Sequence, residues 1–161
     1  MRRHSGSAVD GCAGTVAVTV SGTVDANTVG TYALSYRAVD PSGNATTNTR
    51  TVQVVDTVGP VVTLAGANPL VVECHGTFTD PGASAVDTCA GLLGVTISGS
   101  VDANAVGNYE LSYRAVDASG NATTVTRTVQ VVDTTGPVVT LAGANPLVVE
   151  CHGTFSDPGA S

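Results

Sequence analysis

The chain is one sequence written twice. Residues 7–83 and 84–160 align without a gap and agree at 64 of 77 positions. Ser7-Ala-Val-Asp10 recurs as Ser84-Ala-Val-Asp87, and Gly59-Pro-Val-Val-Thr-Leu-Ala-Gly66 as Gly136-Pro-Val-Val-Thr-Leu-Ala-Gly143. A repeat this regular constrains the fold before any local pattern is read, because the chain must be one supersecondary unit used more than once. Most substitutions keep their class, as at Val20/Ile97 and Thr23/Ser100. The most divergent stretch is Gly11–Ala17 against Thr88–Gly94. Residues 1–6 are an unmatched leader, standing where the counterpart of Phe78–Ala83 would fall.

The period does not coincide with the expected domain edges. Val55-Asp-Thr-Val-Gly-Pro60 and its copy Val132–Pro137 each end a strand-like run and then place Gly-Pro before the next. Cut there, residues 57–133 form a complete domain, 7–56 the later part of a preceding one, and 134–161 the opening part of a following one. Each partial unit would expose its core. The expectation is therefore either a window on a longer repetitive polypeptide or ends of neighbouring copies that complete one another.

Val and Thr make up about a third of the residues, with 19 Gly and 7 Pro. Such a chain reads as β-branched strands separated by turns. Six Arg and no Lys stand against thirteen carboxylates, giving a net charge of −7 and excluding a basic nucleic-acid binder. No apolar run approaches the ~20 residues of a membrane-spanning helix. With 42% hydrophobic residues the chain is not a disordered type.

Alternation supplies the strands. Val61–Ala65 is a short β-rich run. Leu70–Phe78 places Leu70, Val72 and Cys74 on one side, against Val71, Glu73 and His75. Gly94–Ser98 alternates Val95 and Ile97 with Thr96 and Ser98. Asn108–Val116 puts Tyr109, Leu111, Tyr113 and Ala115 on one face. Asp117-Ala-Ser-Gly-Asn121 turns the chain, and Ala122–Val132 returns with Val129 and Val131 inward. Six or seven short strands in this length predict an all-β fold: tandem immunoglobulin-like antiparallel β-sandwiches. With no Trp, Tyr109 and Tyr113 must provide the bulk of the core, one of them bonding a loop backbone as in a tyrosine corner. Arg37, Arg50, Arg114 and Arg127 are expected on solvated faces, paired with carboxylates.

Each repeat carries two cysteines. Within 57–133 they are Cys74 and Cys89, and a disulfide closing that loop would stabilise the unit by ~3 kcal/mol; two free thiols are the alternative. On the same reading Cys12 and Cys151 pair outside this chain or with a neighbouring copy. Zinc needs about four ligands, and His75 alternates away from Cys74.

Gly30-Thr-Tyr-Ala-Leu-Ser-Tyr-Arg-Ala-Val-Asp40, Ser42-Gly-Asn44, Thr51-Val-Gln-Val-Val-Asp56 and Gly59-Pro60 resemble the joint between bacterial Ig-like repeats of the hyalin-repeat and pesticidal-crystal-protein types. Asn68-Pro-Leu-Val-Val-Glu-Cys-His-Gly76 and Thr79-Asp-Pro-Gly-Ala83 resemble the opening half of such repeats. The resemblance covers nearly the whole chain and implies tandem arrays in large secreted or surface proteins, serving as stalks, spacers or adhesive modules.

No cofactor is called for by the residues, but calcium is the ligand that best suits the loop oxygens. Its weak candidates are Asp80, Asp87, Asp102, Asn104 and Asp133, all of which also serve as ordinary turn residues. Asn44-Ala-Thr46 and Asn121-Ala-Thr123 match the glycosylation sequon. The absence of a Gly-x-Ser-x-Gly elbow and of paired Glu argues against an enzyme. The leading expectation is a structural segment of an extracellular fibre, filament or surface stalk. Its partners are neighbouring identical repeats or copies, head to tail, with neither nucleic acid nor a membrane span. An adhesin binding a glycan or surface ligand, or a spacer in a secreted enzyme, is the alternative.

Overall fold

The computed structural model describes residues 6–161, so the reading of the leader falls almost wholly outside the described residues. The β-branched runs form eleven strands, and among the described residues there is no helix. Residues 61–132 hold seven of them: β5 (Val61–Leu64), β6 (Leu70–Glu73), β7 (Ala83–Asp87), β8 (Gly91–Leu93), β9 (Thr96–Ser98), β10 (Gly107–Val116) and β11 (Ala122–Val132). They make two sheets, β6-β11-β10-β9 and β5-β7-β8. All pairs are antiparallel except β6 with β11, where Leu70 to Glu73 run parallel to Val129 to Val132. The opening stretch thus serves both sheets: β5 pairs with β7 in one, and β6 joins β11 in the other. This is the immunoglobulin-like sandwich that the alternation predicts.

The parity of the strands fills the core. Leu111, Tyr113 and Ala115 on β10 meet Val129 on β11, Val62 on β5 and Ala85 on β7, with Leu64, Leu70, Val72 and Phe78 packed around them. Tyr109 donates its hydroxyl to the Ala105 carbonyl at 2.8 Å, the tyrosine-corner contact expected of one of the two tyrosines. β6 stops at Glu73, five residues earlier than the alternation through Phe78 suggests. His75 takes φ 62° and the Gly76 amide donates back to the Glu73 carbonyl at 2.8 Å, so the chain turns. A Cβ at Gly76 would lie 2.7 Å from that carbonyl oxygen, which only glycine avoids.

Residues 7–54 form the counterpart of the later strands alone. β1 (Ser7–Asp10), β2 (Gly14–Ser21), β3 (Gly30–Val39) and β4 (Ala45–Val54) make one sheet in the order β1-β2-β3-β4. β2 is continuous where the central unit divides the same run into β8 and β9. The division falls at Gly94-Val95, where Gly94 replaces Ala17 at the end of the divergent stretch. Residues 134–161 contain one isolated bridge, Leu141 to Ala160, the counterpart of the Leu64–Ala83 pair in β5 and β7.

Identical side chains therefore sit in different surroundings. Tyr113 and Val129 are fully buried, whereas Tyr36 and Val52 are only half-buried. Val62 is 9% exposed and its counterpart Val139 is 72% exposed. The difference is the presence or absence of residues 57–84 against the sheet.

Arg127 corrects the expectation that the arginines lie on solvated faces. It shares strand parity with Val125, Val129 and Val131, so its side chain points inward, and it is completely buried. Its guanidinium donates from Nη2 to the carbonyls of Ala65 and Gly82, and from Nη1 to that of Ala67 at 3.2 Å. Nε lies 3.9 Å from the Asp80 carboxylate, and the charge sits 5.5 Å from the Tyr113 ring centroid. Tyr113 donates its hydroxyl to the same carboxylate. Burial, with that hydrogen bond, raises the Tyr113 phenol above its ordinary value, which keeps it a donor. A buried charge is tolerated only when paired and hydrogen-bonded, and here most acceptors come from the opening segment. Arg127→Ala leaves them unpaired and should lower the stability of the central unit by about 3–5 kcal/mol in denaturant unfolding. A change below about 1 kcal/mol would contradict this role.

Candidate functional site

Two joints bound the central unit, and each is assembled from turn chemistry. At the first, Asp117 caps the β10–β11 turn, accepting from the Asn121 amide at 2.8 Å and from Asn121 Nδ2 at 2.8 Å. Asp87 caps the β7–β8 hairpin through the Cys89 and Ala90 amides, both at 2.7 Å. Asp56, at the end of the preceding strand run, accepts from the Val58 amide at 3.2 Å. Asn121 Nδ2 also donates to the Asp56 carbonyl at 3.2 Å, so one side chain ties the turn to the incoming linker. Carboxylate oxygens of Asp56, Asp87 and Asp117 consequently lie within 4.8 Å of one another, with Asp87 and Asp117 buried. Burial pushes the Asp117 carboxyl up, but donors from Asn121, Ser119 and Gly120 together outweigh it and leave the group below its ordinary value.

At the second joint the chain leaves β11 at Val132. Glu73 receives the Thr134 amide at 2.8 Å, the Thr134 hydroxyl at 2.9 Å and the Thr135 hydroxyl at 3.2 Å. These bonds hold the Glu73 carboxyl below its ordinary value and fix the direction in which residue 134 departs. Asp133 accepts from the Thr135 amide at 3.2 Å, as Asp56 does from Val58.

The calcium candidates are not brought together. Asp80 belongs to the Arg127–Tyr113 contact and also accepts from the Gly82 amide. Asp102 and Asn104 close one turn at 3.0 Å, where Asn104 Oδ1 also lies 3.0 Å from His75 Nδ1. Asp133 stands at the second joint. Among the described residues, Asp87 alone of these candidates lies in a carboxylate cluster, and its companions Asp56 and Asp117 were legible merely as a strand end and a turn cap. Asn121 and its counterpart Asn44 direct their amides to Asp117 and Asp40, so both sequon side chains already hold a turn.

The expected Cys74–Cys89 bond is not formed, and all four cysteines are free thiols. Cys74 donates its amide to the Val132 carbonyl at 2.6 Å, at the end of β11. Cys89 follows Asp87, beside the turn that precedes Ala122. Strand rise along β11 separates those ends by ~33 Å, far beyond the ~4.4–6.8 Å between Cα atoms that a disulfide allows. Proximity in sequence misleads because the chain runs from one end of the sandwich to the other between the two residues.

Fold and joints together define a tandem Ig-like repeat. The chain matches the family described as bacterial surface protein, Ig-like domain, over residues 5–54 and 62–131, and it belongs to that family. It is 43% identical over 119 residues to an 81.3 kDa uncharacterized protein of Acholeplasma phage L2, covering 68% of this chain and 16% of that protein. It is 37% identical over 128 residues to hyalin of Strongylocentrotus purpuratus, covering 73% of this chain and 11% of hyalin. Among solved structures it is similar to the lipoprotein BT2262 of Bacteroides thetaiotaomicron, with 36% identity, 48% of this chain and 40% of that chain covered, and a TM-score of 0.43. The chain spans less than a fifth of the two sequence relatives' lengths. It is a surface or extracellular Ig-like module, and no helix among the described residues is long and apolar enough to cross a membrane.

The Glu73 contact has a defined pH response. A depressed carboxyl contributes stability above its unfolded value of about 4.5 and loses it as pH falls through the lower folded value. The Thr134 amide resonance should titrate with a midpoint below 4.5. A midpoint at or above that value would contradict the linker contact.

Proposed function

We propose that this chain is a structural segment of a surface stalk or fibre, in which Ig-like units are strung head to tail and each joint is a copy of the last. The observation that carries this reading is the joint itself. Asn121 binds the Asp56 carbonyl of the incoming linker, and Glu73 binds Thr134 and Thr135 of the outgoing one. Short linkers held by side chains at both ends restrict the angle between units, and Pro60, fully buried, adds a fixed backbone angle at the start of the next strand. Repeats that stack only with their neighbours make extended assemblies. Electron microscopy should show extended particles with a spacing of about 35–40 Å per unit. Compact particles with saturable affinity for a glycan would favour the adhesive alternative instead.

The thiols fit the same reading in a different way from a staple inside one unit. Cys74 lies at the outgoing end and Cys89 at the incoming end, so a disulfide would join successive units. Its oxidant would be a small disulfide such as oxidised glutathione, reduced to two thiols as the protein bond forms. Non-reducing peptide mapping after such treatment should yield no Cys74–Cys89 link within one chain. Recovery of that link from monomer would contradict the unit geometry.

Calcium remains a proposal, moved to the first joint. Three carboxylates within 4.8 Å repel one another, and a divalent cation would offset this while stiffening the linker. Added Ca²⁺ should raise the midpoint of thermal unfolding, and Asp56→Asn should abolish the increment. No change with Ca²⁺ would exclude a cation there.

A further inference from the structure

The opening stretch of the central unit and its last strand lie side by side and run in the same direction. Their contacts fall in order from one end of the unit to the other. At the entry, a Cβ on Gly59 would lie 3.1 Å from Thr123 Oγ1, Pro60 is fully buried, and Asn121 Nδ2 holds the Asp56 carbonyl. Next, Arg127 reaches the carbonyls of Ala65 and Ala67. Asn68 then bridges the β11 backbone, donating to the Thr126 carbonyl at 3.0 Å and accepting from the Thr128 amide at 2.9 Å. Leu70 to Glu73 pair in parallel with Val129 to Val132. At the exit the Cys74 amide donates to the Val132 carbonyl at 2.6 Å, and Glu73 holds Thr134 and Thr135. β11 has 11 residues, so entry and exit stand about 33 Å apart at opposite ends of the unit.

This order decides how the unit meets a pull along the chain. Tension draws the opening stretch toward the entry and β11 toward the exit. The two then have to slide past one another along their common axis. No terminal bond can open alone, because all of them are loaded at the same moment. β5 is also held along Val61–Leu64 by β7, and the same pull acts along that ladder. Sliding meets the side chains as well. Val62, Leu64, Leu70 and Val72 are set inward with the core, and a slip of one residue exchanges the inward and outward sets of a strand. It would turn Val71 and Glu73 inward and take the Ala65 and Ala67 carbonyls from Arg127, whose charge is completely buried.

β10 and β11 are arranged differently. They are antiparallel and joined by the turn that Asp117 caps. The turn before β10 lies at the exit, where the Ala103 carbonyl accepts from the His75 amide at 2.7 Å. A pull between that turn and the outgoing linker opens the hairpin from its free end, one pair at a time.

We propose that the opening stretch and β11 form a shear clamp, which makes the central unit resist tension along the chain far better than tension that peels β10 from β11. This deepens, and rests on, the reading of the chain as a stalk, whose units bear load head to tail. The quantity the clamp controls is the rate of unfolding under load rather than equilibrium stability.

Single-molecule force spectroscopy on the 161-residue chain tests this in two geometries. In the first, handles at the two termini load the central unit from entry to exit. Its rupture is identified by a gain of about 220 Å as residues 61–132 extend. In the second, the N-terminal handle is moved to an azide-bearing side chain at position 105, which is exposed. At one loading rate the end-to-end rupture force should exceed the second by at least about twofold. Asn68→Ala removes two bonds to β11 from an exposed position. At fixed force it should raise the end-to-end unfolding rate about tenfold and leave the rate from position 105 within about twofold. Equal forces in the two geometries would overturn the proposal, as would an Asn68→Ala chain whose end-to-end rate is unchanged. Extended particles that rupture at equal force would leave the stalk reading intact while removing the clamp. A strong end-to-end rupture in a compact, glycan-binding particle would retain the clamp and remove the stalk.

Discussion

Arg127 is the group on which the central unit depends. A guanidinium placed inside a small sandwich must find acceptors, and it takes them from the carbonyls of residues 65, 67 and 82. Those residues belong to the opening stretch of the unit, while Arg127 belongs to its last strand. The two ends of a domain are thereby tied at its centre. Tyr113 and Asp80 complete the contact from a middle strand and the segment before β7. Hydrophobic burial supplies most of the drive to collapse, but the charge makes one arrangement of the opening segment much better than any other.

The same dependence explains why identical sequence behaves differently along the chain. β3 and β4 reproduce the register of β10 and β11 pair for pair. Arg50 and Tyr36 also reproduce the stacking of Arg127 and Tyr113. What differs is the cover. In the central unit the opening segment closes the sandwich, and the chain enters and leaves through joints whose capping residues are repeated. At the outer units the sheet and the segment are each well formed and each exposed.

Much of this was legible beforehand. The gapless repeat and the alternation on β10 and β11 identify the sandwich, the two-sheet role of the opening stretch excepted. The linker at Asp56-Thr-Val-Gly-Pro60 marks where one ladder ends and the next begins. Other features were hidden because they depend on parity or on the third dimension. Arg127 looked like a surface charge in type, although its place in the series Val125, Arg127, Val129, Val131 points inward. Asp56, Asp87 and Asp117 are widely separated in sequence and meet only because a linker, a hairpin and a turn share one end of the unit. Cys74 and Cys89 are close in sequence and distant in space for the opposite reason. His75, with its positive φ, ended a strand that alternation alone would have continued.

Hydrogen exchange on the dilute, monomeric chain addresses the central claim directly, because the chain contains its own control. The amides of Leu111, Tyr113 and Val129 should exchange orders of magnitude more slowly than those of Leu34, Tyr36 and Val52, although the side chains and strand pairings correspond. Equal protection in the two sets would show that the opening segment and its contacts with Arg127 do not hold the sandwich together.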